Sequence, residues 1–184
     1  MGFHTFDPEM ADRLEEPTRF RFCSREELLQ WLPTGADSRI LDIGSGTGFY
    51  TDEVAPFVGS VVALDVQAVM HERYRERGLP ETVGPVTADA GRLPFSANTF
   101  DGAFSTMTFH ESATEQSVSE LYRVLAPDGQ VVIVDWTASG DGESGPPLSE
   151  RYDLDQARTL LSEAGFEIEV AATRSETFAL VGHK

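Results

Sequence analysis

The strongest constraint on the fold is a strand-like run that leads directly into alternating glycines. Residues 39–43 are mostly apolar and predict a buried strand, and every second residue after them is a glycine: Gly44, Gly46 and Gly48. Glycines after a strand allow a sharp turn and let a ligand approach the backbone closely. The helix predicted over 49–55 presents unpaired N–H groups at its start. This unit predicts an α/β fold with a ligand site at the glycine loop.

Short β-rich runs and helical patterns alternate along the rest of the chain, which is typical of a parallel sheet covered by helices. The further strand runs are 61–65, 85–88, 100–107 and 130–136. The further helical patterns are 67–77, a helix opened by a capping-box match over 112–115, and 154–164. Two closing runs, 166–172 and 177–182, predict a hairpin, so the last strand is antiparallel to its neighbour.

No linker divides the 184 residues into two cores, and this length suits one domain. We therefore predict a single domain over 1–184. Its parts are an N-terminal helical cover segment over 1–33, a ligand-binding core over 38–136, and a loop, helix and hairpin over 137–184. Within the cover segment, the sequence from Ser24 to Glu27 matches a capping box and predicts a helix start.

The cysteine content and the N-terminus favour a cytoplasmic protein. Cys23 is the only cysteine, so an internal disulfide is excluded. The first 20 residues are rich in Asp and Glu, unlike a secretory signal. No apolar run approaches the roughly 18 residues of a membrane helix. We expect no membrane association.

The charge is strongly acidic, with 31 Asp and Glu against 14 Lys and Arg and a formal net charge of -17. Such a surface repels nucleic acid, which makes a nucleic-acid partner unfavourable. The only lysine is Lys184. Acidic, lysine-poor chains resemble the proteins of salt-loving archaea, and this halophilic interpretation predicts lower stability at low salt. A specific partner for the acidic surface is the alternative.

The glycine spacing distinguishes between two classes of nucleotide-binding enzyme. Gly44 and Gly46 fit the dinucleotide fingerprint G-x-G-x-x-G, but its third glycine position holds Phe49. The third glycine comes one residue early, at Gly48. The spacing therefore disfavours an NAD-dependent oxidoreductase.

The pattern G-x-G-x-G, with Asp42 two residues before it, resembles motif I of class I S-adenosylmethionine (SAM)-dependent methyltransferases. The helix, turn and apolar strand over 121–136 resemble the same family, closest to its small members similar to quinone-biosynthesis enzymes. The resemblance implies a Rossmann-like, mostly parallel sheet of strand order 3-2-1-4-5-7-6 with helices on both faces. It implies SAM as cofactor, with S-adenosylhomocysteine (SAH) as product, and donor contacts from the following loop residues: Asp42, Gly44, Ser45, Gly46 and Gly48.

Further donor contacts are implied at the ends of the next strands. Asp65 ends the second strand, where a carboxylate can accept both ribose hydroxyls, and Val66 follows as an apolar contact to adenine. Asp89 and Ala90 fill the positions at which the family binds the adenine amino group and a ring nitrogen. Ser105 lies near the end of the fourth strand, where open α/β sheets bind ligands.

The acceptor side is less clearly defined by the sequence. His110 follows the fourth strand and is a candidate base or acceptor-orienting residue, with a structural hydrogen bond as the alternative, and Glu111 suits a helix start. The histidines lack zinc-ligand spacing, so no metal is expected. Aromatic and arginine residues over 3–22 and the loop over 137–151 are candidate walls of an acceptor pocket.

The resemblance leaves the acceptor open. A small-molecule acceptor is the main hypothesis. The alternatives are a protein or RNA methyltransferase that needs a partner chain, and a catalytically silent protein that binds SAM or SAH.

Overall fold

Seven strands form one sheet in the computed structural model, which describes residues 6–184. They are β1 (Gly35–Ile43), β2 (Val58–Asp65), β3 (Val83–Thr87), β4 (Phe100–Thr106), β5 (Leu125–Trp136), β6 (Glu167–Thr173) and β7 (Thr177–His183). The order is β3-β2-β1-β4-β5-β7-β6. Strands β1 to β5 pair in parallel, and β7 is antiparallel to both β5 and β6. The predicted fold class, strand order and antiparallel last strand are confirmed.

Six α-helices accompany the sheet within the described residues: α1 (Arg25–Trp31), α2 (Phe49–Val54), α3 (Ala68–Arg77), α4 (Phe109–Ser112), α5 (Glu115–Val124) and α6 (Leu154–Glu163). Short 3₁₀ segments are Pro8–Glu15, Pro17–Arg21, Ala55–Phe57 and Leu148–Glu150. None of the helices within residues 6–184 has the length and apolar character that crossing a membrane requires.

Two apolar clusters lie on opposite faces of the sheet, because neighbouring side chains of a strand alternate between faces. Leu41 and Ile43 join the cluster that contains buried residues of α4, α5 and α6. Ile40 joins the other cluster, with residues of α1, α2 and α3. β5 contributes to both clusters, and residues 131–134 are almost completely buried. The prediction that 130–136 is a strand buried on both faces is confirmed.

Two capping boxes were predicted at helix starts, and the structure confirms one of them and contradicts the other. Ser24 caps α1, and its hydroxyl accepts the N–H of Glu27 in a capping box, as predicted. The box predicted from Ser112 is wrong, because Ser112 ends α4. Thr114 caps α5 instead and pairs with Ser117. Ser at the third helical position replaces the usual Glu or Gln of the box, so the sequence pattern pointed to the wrong residue.

The strand boundaries differ from the predictions mainly where the register shifts. β1 begins at Gly35 rather than residue 39, and its pairing with β2 shifts between Gly35 and Arg39. β5 begins at Leu125, where the predicted helix stop over 127–129 forms part of the strand. Asp128 has a φ of +64° within this irregular stretch. Such irregularities have no hydrophobic period and are therefore hard to predict.

Candidate functional site

A cavity of about 420 Å³ lies at the carboxyl ends of β1 to β4. Parallel strands place these ends at one edge of the sheet, where open α/β folds bind ligands. The residues that line the cavity and recur below are Phe6, Leu14, Arg19, Gly44, Ser45, Gly46, Asp65, Val66, Gln67, Asp89, Ala90, Met107, Thr108 and Glu111. They include seven of the ten residues that the sequence assigned to donor binding.

The glycine loop forms one wall of the cavity through backbone conformations that favour glycine. Gly44 has a φ of +74° and Gly46 a φ of +55°. The N–H groups of Gly44 and Ser45 donate to the carbonyl oxygen of Leu64 at 2.8 and 2.9 Å. A Cβ on Gly44 would lie 2.3 Å from Cγ2 of Thr108. The loop is therefore fixed against β2 and leaves its backbone open to the cavity.

Asp65 holds the glycine loop and borders the cavity at the end of β2. Its Oδ2 accepts the N–H of Gly46 at 2.9 Å, and its Oδ1 accepts the N–H of Gln67 at 2.8 Å. The side chain is buried, and burial raises the pKa of Asp65, although these N–H donors oppose the rise. Each oxygen keeps further acceptor capacity. The next residue, Val66, is 54% exposed and offers an apolar surface at the cavity.

Asp89 and Ala90 line the cavity just after β3. Oδ1 of Asp89 accepts the N–H of Gly91 at 2.7 Å, which fixes the carboxylate on an exposed turn. Asp65 and Asp89 therefore lie at the ends of neighbouring strands, as the sequence predicted. The structure brings these two carboxylates and the glycine loop to the same cavity.

Three predicted donor contacts lie outside the cavity. Asp42 is 2% exposed beneath the loop, and its Oδ2 accepts the hydroxyl of Thr51 at 2.6 Å. Burial is the main cause that raises the pKa of Asp42 to about 7. Gly48 packs against the ring of Tyr74. Ser105 borders a separate pocket of only about 20 Å³ under α4 and α5.

The N-terminal segment covers the glycine loop. Leu14 and Arg19 line the cavity, and the guanidinium of Arg19 lies 5.0 Å from the ring centres of Phe49 and Tyr50. Glu15 accepts a hydrogen bond from the hydroxyl of Thr47 in the loop. This agrees with a cover segment over residues 6–22, whereas Phe3 lies outside the described residues.

The loop over 137–151, predicted as a second wall of an acceptor pocket, contributes no residue to the lining of this cavity. Buried Arg151 holds this loop against Glu176 instead. Its guanidinium pairs with Glu176 at 3.1 Å and donates to the carbonyl oxygens of Pro146 and Thr137. Glu176 also accepts the N–H groups of 142 and 143. The loop is folded against β7 by charge-assisted hydrogen bonds.

His110 lies beside the cavity but does not line it. Its Nδ1 is 2.9 Å from Oδ1 of Asp135, a completely buried carboxylate at the end of β5, and its backbone N–H donates to the same group. Burial lowers the pKa of His110, but the charge and hydrogen bond of Asp135, with the charge of Glu111, raise it above the ordinary value. The arrangement favours an imidazolium held in place by Asp135.

Sequence reasoning missed Glu111 as a cavity residue. Its carboxylate lines the cavity, with Oε1 3.9 Å from Nε2 of His110. Burial is the main cause that raises the pKa of Glu111 to about 7. The available signal was its position in the short segment that follows the fourth strand, because that segment starts at the same sheet edge as the glycine loop.

Comparison with known proteins agrees with this geometry. A family model described as a methyltransferase domain matches residues 41–133. The chain is 39% identical over 109 residues to the biotin biosynthesis bifunctional protein BioHC of Cellvibrio japonicus, covering 58% of this chain and 22% of that protein. It is 30% identical over 140 residues to the ubiquinone/menaquinone biosynthesis C-methyltransferase UbiE of a Ruegeria species, covering 71% of this chain and 53% of that protein.

A solved structure extends the likeness to nearly the whole chain. The SAM-dependent methyltransferase from Aquifex aeolicus is 28% identical, with a TM-score of 0.88, and the match covers 97% of this chain and 99% of that one. By contrast, the chain spans about half or less of the two curated relatives. The matched family model, the strand order and the cavity at the glycine loop together show that the chain belongs to the class I SAM-dependent methyltransferase family.

Proposed function

We propose that this protein transfers a methyl group from SAM to a small-molecule acceptor at the cavity beside the glycine loop. One observation carries the proposal: the loop backbone and carboxylates from two neighbouring strands border a single cavity. A side chain on Gly44 would collide with Thr108, and one on Gly46 would press on Leu14, so both positions favour glycine. The two carboxylates suit an adenosyl ligand, because carboxylates accept hydrogen bonds from hydroxyl and amino groups.

The sheet order suggests how the donor would lie. The strands run β3-β2-β1-β4 across the cavity, a width of about 14 Å from three spacings between neighbouring strands. Asp89 and Ala90 after β3 would hold the adenine, and Asp65 after β2 would hold the ribose. Gly44 to Gly46 would then hold the amino-acid end, with Arg19 supplying a guanidinium for its carboxylate.

When bound, SAM would supply an electrophilic methyl carbon on its sulfonium, which an acceptor atom would attack in line with the breaking carbon–sulfur bond, with SAH as the leaving group. The contribution of the protein is to hold the acceptor near the methyl carbon and to exclude water, worth at most about 7–11 kcal/mol. Phe6 and Leu14 of the cover segment line the cavity, and their apolar side chains would exclude water from the bound reactants. We propose that His110, anchored by Asp135, positions Glu111 toward the acceptor.

Two features support a small acceptor. The cavity volume of about 420 Å³ lies near the lower end of the roughly 300–1,000 Å³ of ligand pockets, so a donor leaves little enclosed space. The two curated relatives are named for biotin and ubiquinone/menaquinone biosynthesis, which concern small molecules. The acidic surface disfavours an RNA acceptor.

Calorimetry in high salt is expected to show binding of SAM and SAH and none of NAD. The physical reason is that Phe49 occupies the third glycine position of the dinucleotide fingerprint, while carboxylates suited to adenosine border the cavity. NAD serves as the control because it shares the adenosine half. Preferential binding of NAD would contradict the donor assignment.

A screen with radiolabelled methyl donor is expected to place label in the metabolite fraction of a cell extract. The extract is divided into metabolite, protein and RNA fractions, and heat-inactivated protein gives the background. Label in protein or RNA would support the partner-dependent alternative instead. Donor binding without label in any fraction would support a catalytically silent binder.

A further inference from the structure

Three carboxylates line the cavity, and each would face a different part of a bound donor. Asp65 lies where ribose would bind and Asp89 where adenine would bind, and each already accepts backbone N–H groups. Glu111 also accepts a backbone hydrogen bond, from Phe6, but it lies at a different part of the cavity. It follows β4, which is the farthest from β3 of the four strands that border the cavity, and its nearest charged partner is His110 at 3.9 Å. Its carboxylate is therefore the acidic group at the far end of the cavity from the adenine position.

That end of the cavity is the one where the donor carries its charge. If the adenosyl part spans the ends of β3 and β2, the sulfonium lies beyond Asp65, toward the ends of β1 and β4. Met107, Thr108 and Glu111 line the cavity there. SAM carries a sulfonium, whereas SAH has an uncharged thioether at the same place. A carboxylate beside this atom interacts with the donor far more strongly than with the product.

We propose that Glu111 lies beside the sulfonium and makes the cavity select the charged donor over its uncharged product. This inference rests on the proposed function, since it requires SAM in this cavity. It gives Glu111 a role in donor specificity and product release. Loss of the positive charge on methyl transfer removes the attraction, so the product is held less tightly than the donor.

The surroundings of Glu111 make this selection depend on pH. Asp65 and Asp135 oppose ionisation of its carboxyl, whereas His110 and a backbone hydrogen bond from Phe6 favour it. Burial is the main cause that raises the pKa of Glu111 to about 7 in the free protein. A bound sulfonium favours the carboxylate and lowers that pKa. SAM affinity should therefore rise as the pH is raised toward about 7 and level off above it, while SAH affinity should lack this dependence on Glu111.

The test is calorimetry of SAM and of SAH with wild type, Glu111→Gln and Glu115→Gln, between about pH 5.5 and about pH 8.5. Above pH 7 the preference for SAM over SAH should fall at least about tenfold in Glu111→Gln, because an opposite charge at about 4–6 Å shifts a pKa by one unit or more. Glu115 is exposed, lies four residues away and does not line the cavity, so Glu115→Gln controls for net charge. It should keep the wild-type preference.

A second measurement needs no substitution in the assay sample. The pKa of the Glu111 carboxyl, followed by ¹³C NMR and assigned with Glu111→Gln, should fall on addition of SAM and stay unchanged on addition of SAH. An unchanged preference in Glu111→Gln, with SAM bound to wild type, would overturn the inference and leave the donor assignment intact. Failure of wild type to bind either compound would overturn both.

Discussion

Asp65→Ala is expected to weaken SAM binding by about 1.5–3 kcal/mol, the range for hydrogen bonds to a charged group. Asp65 is 8% exposed at the end of β2, where its carboxylate borders the cavity. In the proposed complex it accepts the ribose hydroxyls, so alanine removes both charge and acceptors. The measurement is calorimetric titration with SAM in high salt.

Asp101→Ala is the matched control for Asp65. Asp101 also accepts a backbone N–H, that of Arg39 at 2.8 Å, but it lies at the start of β4, at the opposite edge of the sheet from the cavity. Its removal should leave SAM affinity unchanged. Because Asp65 also holds the N–H of Gly46, the unfolding of both variants is measured, so that loss of binding is not confused with loss of structure. Wild-type affinity in Asp65→Ala would refute its assignment to the ribose.

Gly48→Ala is expected to destabilise the protein by about 2–5 kcal/mol, the sum of two costs. Gly48 has a φ of +91°, a conformation that costs a residue with a Cβ about 1–2 kcal/mol. The new Cβ would also lie 2.1 Å from Cζ of Tyr74. That ring is completely buried, and its hydroxyl donates to Asp52 at 2.5 Å, so it has little room to move. Overpacking of this kind costs about 1–3 kcal/mol.

Gly78→Ala separates the two costs of the Gly48 substitution. Gly78 has a φ of +104°, but a Cβ there would meet no atom within 4 Å. This variant should lose only a backbone cost, about 1–3 kcal/mol, because its ψ of 95° places it outside the left-handed region that Gly48 occupies. Urea unfolding of both variants, at one salt concentration, gives the difference. Equal losses in the two variants would show that contact with Tyr74 does not constrain Gly48.

The sequence predicted those parts of the fold that depend on local pattern. The apolar run over 130–136 predicts a doubly buried strand because each of its faces meets helices in the fold. The cap at Ser24 follows from residues within one helical turn. Alternating strands and helices restrict the topology to a few arrangements, because parallel strands need crossover connections of fixed hand.

The candidate site was predictable to the extent that it lies on strand ends. Gly44, Asp65 and Asp89 each follow a strand, and parallel strands bring their carboxyl ends to one edge. Asp42 lies on β1 and Ser105 on β4, but neither residue lines the cavity. The sequence places a residue near the edge without showing which way its side chain faces there.

Taken by itself, the sequence determined the α/β class, the strand order through the family pattern, and the loop at which the cavity lies, because these depend on periodicity and on glycine at fixed positions. Only the tertiary structure decided that Gly48 packs on Tyr74, that His110 pairs with Asp135 and that Glu111 lines the cavity. The physical reason is distance along the chain. These contacts join residues on different elements, and their geometry follows from how helices pack on the twisted sheet, which no local pattern encodes.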